Sequence, residues 1–282
     1  MTAPALSNAL KSILTKAGVD NPDGDAAEII RAVTGFSRID LLTRSNEALD
    51  DTITQKAIDL ARRRAGGEPI QYVIGSWSFM GRDYLVGEGV LIPRDDTEVV
   101  TRASIDWIKP LPHPAIVDLC AGSGIIGVTL KKERPDATVY AVEKSDVAYD
   151  YLCRNTALNH ADITTIHADL RDCADQFDDE SLDLIVSNPP YIRSDEIVTL
   201  QSEVQYEPRL ALDGGKDGYI FYELILRLWT KKLKKGGCIA FEIGEGQFDT
   251  IAGMLRDHGY TDIKGYLDLT GIKRAITAVL QI

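Results

Sequence analysis

The chain has 282 residues, 44% of them hydrophobic and 26% charged, with a formal net charge of -12. An apolar share of this size sustains a globular core without disulfide or metal staples. The acidic balance argues against direct nucleic-acid binding, which needs clustered Lys and Arg to neutralise phosphates.

Four cysteines, Cys120, Cys153, Cys173 and Cys238, lack C-x-x-C spacing and histidine partners. No zinc site, other metal site or disulfide framework is therefore expected, and a reducing cytoplasm is the expected compartment. No run approaches the roughly 18 apolar residues that cross a bilayer, and Met1 to Leu14 carries no leader pattern.

Leu6, Leu10, Ile13 and Leu14 recur at helical spacing until Gly18. Asp25 to Gly35 and Thr54 to Ala65 read as two further helices, each closed by glycine. Residues 1–68 thus form an expected helical domain. The Arg62-Arg63-Arg64 run at its end reads as a solvated helix terminus rather than a basic patch.

From Tyr72 to Ile92, aromatic and β-branched residues alternate with glycines, which predicts a β-hairpin linker over residues 69–93. Asp95-Asp96-Thr97-Glu98 then opens a helix to about Ile108, ended by the proline-rich stretch Pro110 to Pro114.

Residues 94–282 alternate short apolar strands with helices. The strand candidates are Ala115–Leu119, Thr138–Val142, Thr164–His167, Leu182–Ser187, Cys238–Ile243, Asp262–Leu267 and Ala275–Leu280. Asp146–Leu158 and Tyr219–Leu233 are among the intervening helices. Such alternation predicts an α/β fold with a seven-stranded, doubly wound, Rossmann-like sheet. The last two strands lack a helix between them, so they should pair as an antiparallel edge hairpin.

Asp118-Leu119-Cys120-Ala121-Gly122-Ser123-Gly124 follows the first strand of that sheet and opens a helix. Glycines let the backbone approach a ligand where a Cβ would collide. Nicotinamide enzymes use similar turns, but Asp118 sits poorly beside a pyrophosphate and well beside a cationic amino acid and sulfonium. Glu143 ends the second strand about twenty residues on, where a carboxylate can accept both ribose hydroxyls. Asp169, ending the third, is placed to meet an adenine amino group, with Leu170 packing on the ring. These residues predict an S-adenosyl-L-methionine site whose product is S-adenosyl-L-homocysteine.

Asn188-Pro189-Pro190-Tyr191 follows the fourth strand, which should neighbour the first across the topological switch point. An amide nitrogen is a poor nucleophile because its lone pair is delocalised. The Asn188 side-chain carbonyl and the Pro189 backbone carbonyl can each accept one of its hydrogens, aiming the lone pair at the cofactor's methyl. Tyr191 can cover the planar acceptor, and the two prolines hold the backbone in one shape. Asn188 also borders the expected cofactor site.

In five segments the chain resembles the release-factor glutamine N5-methyltransferases of the HemK/PrmC type. These are Arg64 to Gly75, Leu91 to Glu98, Asp118 to Gly124, Asn188 to Tyr191, and Glu207 to Gly218. The first, second and fifth are the specific ones, because Asn-Pro-Pro-Tyr also occurs in adenine-N6 methyltransferases. The resemblance implies a class I methyltransferase fold and, as substrate, the glutamine of a Gly-Gly-Gln motif in class I peptide chain release factors. It implies that the helical domain docks the release factor, and that Glu207-Pro208-Arg209 with Gly214-Gly215 shapes the loop beside the acceptor cleft.

The chain departs from the family's pattern in carrying Cys120-Ala121 where many members have Gly-Thr, Ser123 for Thr, Leu170 for tryptophan, and Glu143 for aspartate. None removes a group the chemistry needs. Three alternatives stand beside this reading: a ribosomal-protein glutamine as acceptor, an adenine of nucleic acid, and a non-catalytic adapter. The expected assembly is a monomer.

Overall fold

A computed structural model describes residues 1–281, with every side chain in that span except those of Arg38, Leu42 and Ser202. The chain divides into two compact units, Met1–Ser76 with Gln201–Tyr206, and Trp77–Leu200 with Glu207–Ile282.

The first unit is helical, built from α1 (Ala3–Lys16), α2 (Pro22–Thr34), α3 (Arg38–Thr43), α4 (Asp51–Ala65) and α5 (Ile70–Ile74). Leu6, Leu10 and Leu14 of α1 are fully buried, as the spacing predicts. Helix α2 begins three residues earlier than Asp25, because Asn21 caps it by accepting from Gly24 N at 3.1 Å and Pro22 suits its first turn. Helix α4 likewise starts at Asp51, behind the Asp50 cap.

The arginine run is not uniformly solvated. Arg62 pairs with Asp59 on the surface and Arg63 with Glu68. Arg64 is buried, with Nε 2.6 Å from Asp25 Oδ2 and its guanidinium paired also with Glu203. Helix periodicity turns Arg64 to the same side as the buried Ala57 and Ala61. The carboxylates of α2 and of the 201–206 segment make that burial tolerable.

The hairpin is shorter than the sequence suggests: only β1 (Ser76–Phe79) and β2 (Arg82–Leu85) pair. Tyr72 lies in α5, which Gly75 ends at φ 80. Residues 86–92 run as irregular backbone, with Gly89 close enough to α8 (Asp146–Leu158) that a Cβ would lie 2.6 Å from Val147.

The remaining elements of the second unit are α6 (Asp95–Ile108), β3 (Ala115–Leu119), α7 (Ile125–Glu133), β4 (Thr138–Glu143), β5 (Thr164–His167), α9 (Leu170–Cys173), β6 (Leu182–Ser187), α11 (Arg209–Leu212), α12 (Ile220–Trp229), β7 (Leu233–Glu242), α13 (Phe248–Asp257), β8 (Tyr260–Leu267) and β9 (Lys273–Leu280). The four-residue helix α10 (Ser202–Gln205) belongs to the first unit. Seven strands form one sheet in the order β5-β4-β3-β6-β7-β9-β8. All neighbours are parallel except β7–β9 and β8–β9, so the expected terminal hairpin is present.

Strand order reverses between β3 and β6, which places the switch point there. Side chains alternate between two cores. Val117, Leu119, Ile185, Ile239 and Phe241 pack with Tyr222, Leu226 and Trp229 of α12, whereas Ile116, Leu184, Val186, Cys238 and Ala240 pack with α6 and α7. By the same alternation Asp118 and Glu242 face the α6–α7 side.

Candidate active site

Four acidic residues lie at or within two residues of the carboxyl ends of parallel strands: Asp118, Glu143, Asp169 and Glu242. Beside the switch point a cavity of about 200 Å³ opens against residues 89–91, Cys120, Gly122, Glu143 to Ser145, Asp169 to Arg171, Asn188, Pro190 and Phe221. A smaller cavity, about 30 Å³, adjoins Thr97, residues 120–123 and Ile126. Leu91, Cys120, Gly122 and Asn188 line both.

The loop after β3 owes its shape to backbone that most side chains disfavour. Cys120 adopts φ 58 and Gly124 φ 85. A Cβ on Gly124 would lie 2.5 Å from Leu152 Cδ1, and at that φ any side chain would also be strained, so the position favours glycine. Cys120 holds a left-handed conformation at a cost of about 1–2 kcal/mol, which marks a loop defined by its surroundings. Burial raises the Cys120 thiol far above its ordinary range and so keeps it protonated.

Glu143 is nearly buried and accepts from two backbone N–H groups, Gly122 at 2.8 Å and Ser145 at 2.7 Å. It braces the loop while lining the cavity. The Gly122 amide is consequently directed at a carboxylate, which disfavours a pyrophosphate in this turn.

Asp169 caps α9, accepting from Arg171 N at 3.0 Å. Its carboxyl is held well below the ordinary range, first by the Arg171 side chain, with Lys144 contributing at 3.0 Å. Leu170 is buried, and its neighbours Asp169 and Arg171 share the cavity wall with it.

Asp118 lines neither cavity. It lies fully buried behind the loop, where Oδ2 accepts from Gly127 N at 2.8 Å and Oδ1 has no partner. Burial lifts its pKa to about 7; the Gly127 hydrogen bond pulls it back, and Glu143 raises it further. A carboxyl with one unpartnered oxygen beside a glycine turn, among further acids, suits a cationic ligand, which would favour its ionised form, and not an anionic one.

Asn188 lines both cavities, and its Nδ2 donates to Thr97 Oγ1 at 3.3 Å, leaving Oδ1 free. Pro190 lines the larger cavity, and Pro189 borders neither. Tyr191 does not lie over the cavity as its sequence position suggests. Its hydroxyl donates to Glu242 Oε1 at 3.2 Å, and its ring faces Gly244, where a Cβ would lie 3.1 Å away.

The segment after Asn188 is gripped from several sides. Gln247 Nε2 donates to Tyr191 O at 3.1 Å. A Cβ on Gly214 would lie 2.7 Å from Tyr191 Cα, and one on Gly218 2.5 Å from Tyr191 O. The loop over the cavity is latched by buried Glu207, which accepts from Ile92 N at 2.8 Å and pairs with Arg94. Pro208, Leu210 and Ala211 behind it face the cavity.

The sequence reading did not single out Thr97, Glu242 or Gln247 individually. Glu242 carried a signal, since it ends an apolar strand as Glu143 does, with Asp118 and Asp169 within two residues of the ends of theirs. Thr97 carried none beyond its place in a helix's first turn. Among the described residues no group of side chains forms a metal site, and no helix is long and apolar enough to cross a membrane.

The chain is similar to known proteins over nearly its whole length. A PrmC N-terminal domain model matches residues 5–75 and a methyltransferase small domain model residues 97–206. A release factor glutamine methyltransferase of Geobacter sulfurreducens is 37% identical over 268 residues, 94% of this chain and 92% of that protein. One from Clostridium botulinum is 35% identical over 269 residues, covering 94% and 95%. Among solved structures, the precorrin-6y C5,15-methyltransferase of Geobacter metallireducens shares the fold, with a TM-score of 0.50 at 14% identity, covering 70% of this chain and 94% of that one. Identity at this level across both matched regions leaves one conclusion: the chain belongs to the release factor glutamine methyltransferase family.

Proposed function

We propose that this enzyme transfers a methyl group from S-adenosyl-L-methionine to the side-chain amide nitrogen of the glutamine in the Gly-Gly-Gln motif of class I peptide chain release factors. The observation that carries it is Asn188, whose carboxamide borders both cavities with its oxygen unengaged. When bound, the cofactor supplies an electrophilic methyl on a sulfonium and leaves as S-adenosyl-L-homocysteine.

Glu143 would hold the ribose hydroxyls, using lone pairs left over from its two backbone contacts. Asp169 and Leu170 would meet the adenine, and Cys120, Ala121, Gly122, Ser123 and Gly124 would shape the loop around the methionyl portion. Asp118 would act from behind that loop, by its charge and its hold on Gly127.

At the acceptor, Asn188 Oδ1 and the Pro189 carbonyl would each take one amide hydrogen, which directs the nitrogen lone pair outward. Pro190 and Tyr191 would keep that carbonyl in place, since Gln247, Gly214 and Gly218 immobilise Tyr191 from behind. The methylated nitrogen is strongly acidic and loses its proton to water, so no dedicated base is required.

The reading divides the chain into a docking domain (1–68), a linker (69–93) and a catalytic domain (94–282), working as a monomer in the cytoplasm. Methyl transfer from radiolabelled cofactor to a purified release factor tests it, beside a factor whose motif glutamine is replaced by alanine. Label on the native factor alone supports the reading. No label on either, with cofactor binding intact, refutes it and directs the search to ribosomal proteins and nucleic acid.

A further inference from the structure

Helix α8 carries a buried carboxamide that takes no part in the proposed chemistry. Asn155 is fully buried near the end of that helix, and it makes hydrogen bonds to backbone on two other segments. Its Oδ1 accepts from Leu85 N at 2.6 Å, and its Nδ2 donates to Leu85 O at 3.0 Å and to Ser123 O at 2.9 Å. An N–H only donates and a carbonyl only accepts, so these partners admit one orientation of the amide.

The two segments it joins both supply walls of the larger cavity. Leu85 ends β2, and the chain beyond it runs along α8, with Val86 and Val90 buried against Ala148. Gly89, Val90 and Leu91 then line the cavity. Ser123 belongs to the glycine turn after β3, which lines the same cavity through Cys120 and Gly122.

The Ser123–Gly124 peptide is thereby held at both ends. Its carbonyl accepts from Asn155, and its N–H donates to Ala121 O at 2.8 Å. Leu152, three residues before Asn155 on the same helix face, packs with Ala121 of that turn. A carboxamide buried this completely is costly unless its partners are in place. An apolar side chain would fill the space and leave the Ser123 carbonyl without that donor.

We propose that Asn155 is a positioning residue for S-adenosyl-L-methionine: by bonding Leu85 and Ser123 at once, it sets residues 89–91 and the glycine turn at their working separation before the cofactor binds. The proposal rests on the cofactor role given to this cavity above. Preset walls spare the cofactor the entropy of ordering them, so loss of the tether should weaken binding rather than slow methyl transfer.

Asn155→Ala removes the tether. The dissociation constant for S-adenosyl-L-methionine, read by calorimetry, should rise about tenfold or more, the worth of one to two hydrogen bonds. KM for the cofactor should rise in step, while kcat at saturating cofactor moves by less than about threefold. In the cofactor-free protein, hydrogen exchange at the Leu85 and Gly124 amides should quicken.

Asn155→Asp keeps the shape and the bond from Leu85 N, but turns its second oxygen on two carbonyls. Its affinity should fall about fivefold or more despite the near-identical volume. Leu255→Ala calibrates general loosening, because Leu255 is fully buried in α13 and borders neither cavity. With stability followed by urea unfolding, that control should keep its cofactor affinity within about twofold of native.

Native affinity in Asn155→Ala or in a folded Asn155→Asp would overturn the proposal. So would an affinity loss in Leu255→Ala matching that of Asn155→Ala at a comparable loss of stability, since Asn155 would then serve the fold alone. Should Asn155→Asp not fold, Asn155→Ala and the control still decide the matter. A native protein that binds no S-adenosyl-L-methionine would instead overturn the reading of the cavity and take the proposal with it.

Discussion

Asp118 is the residue whose perturbation tests the electrostatics of the site most directly. It is fully buried, one oxygen bonded to Gly127 N and the other to nothing. Burial lifts its pKa from an ordinary 3.8 to about 7. A carboxyl raised on folding stabilises the fold below its unfolded pKa, and that contribution is lost as pH rises through the folded value. With about 1.4 kcal/mol per tenfold change in proton affinity, holding Asp118 ionised at pH 8 costs the cofactor-free protein about 4 kcal/mol.

Asp118→Asn is a close mimic of the protonated form. Its oxygen can keep the Gly127 contact, and its NH2 occupies the place of the orphaned oxygen. The variant should exceed the native protein in stability by about 4 kcal/mol at pH 8 and by less than half of that at pH 5. The gain should close near pH 4. Urea unfolding of both proteins without cofactor, at pH 5, 6, 7 and 8, measures the gap. A gap independent of pH, or a variant less stable at pH 8, would refute the reasoning. The expected price of the extra stability is weaker binding of the cationic cofactor, a trade familiar where function keeps a strained group in place.

Other perturbations separate the roles of neighbouring residues. Asn188→Ala should cut kcat by about 100-fold or more while cofactor affinity, read by calorimetry, stays within about threefold. Equal loss of both would make Asn188 a cofactor ligand first. Glu143→Ala strips the acceptor from Gly122 N and Ser145 N, so it should lower cofactor affinity at least tenfold and stability by about 1–3 kcal/mol, seen as a drop in the urea midpoint. Gly218→Ala puts a Cβ 2.5 Å from Tyr191 O at φ 85; turnover should fall with the displaced acceptor loop, and native kinetics would show that loop to be tolerant. Arg64→Ala leaves Asp25 buried without its partner, so the first unit should lose about 3–5 kcal/mol in thermal or urea unfolding.

Local pattern sufficed for the elements whose signal is periodic. The strand–helix alternation after Ala115 predicts the seven strands and the terminal hairpin, because strands and helices bury faces with periods near 2 and 3.6 that the apolar residues record. The acids ending the strands, and Asn188 after the fourth, could be assigned to one rim because parallel strands share a carboxyl edge. Where packing competes with local preference, the pattern misled. Residues 86–92 looked like strand but lie as loop, with Gly89 against α8. Arg64 looked solvated within a basic run, yet Asp25 and Glu203 make its burial tolerable.

What the amino-acid sequence determined alone was therefore the fold class, the family and the list of chemically capable groups, since each is written in spacing along the chain. Tertiary structure decided which way those groups face. Asp118 was read as a ligand contact and lies behind the loop; Tyr191 was read as a cover and turns inward to Glu242. The pairing of Asn188 with Thr97, 91 positions away, has no local signature. It exists because the β6–β7 register and the first turn of α6 bring three distant segments together, and only the folded sheet sets that register.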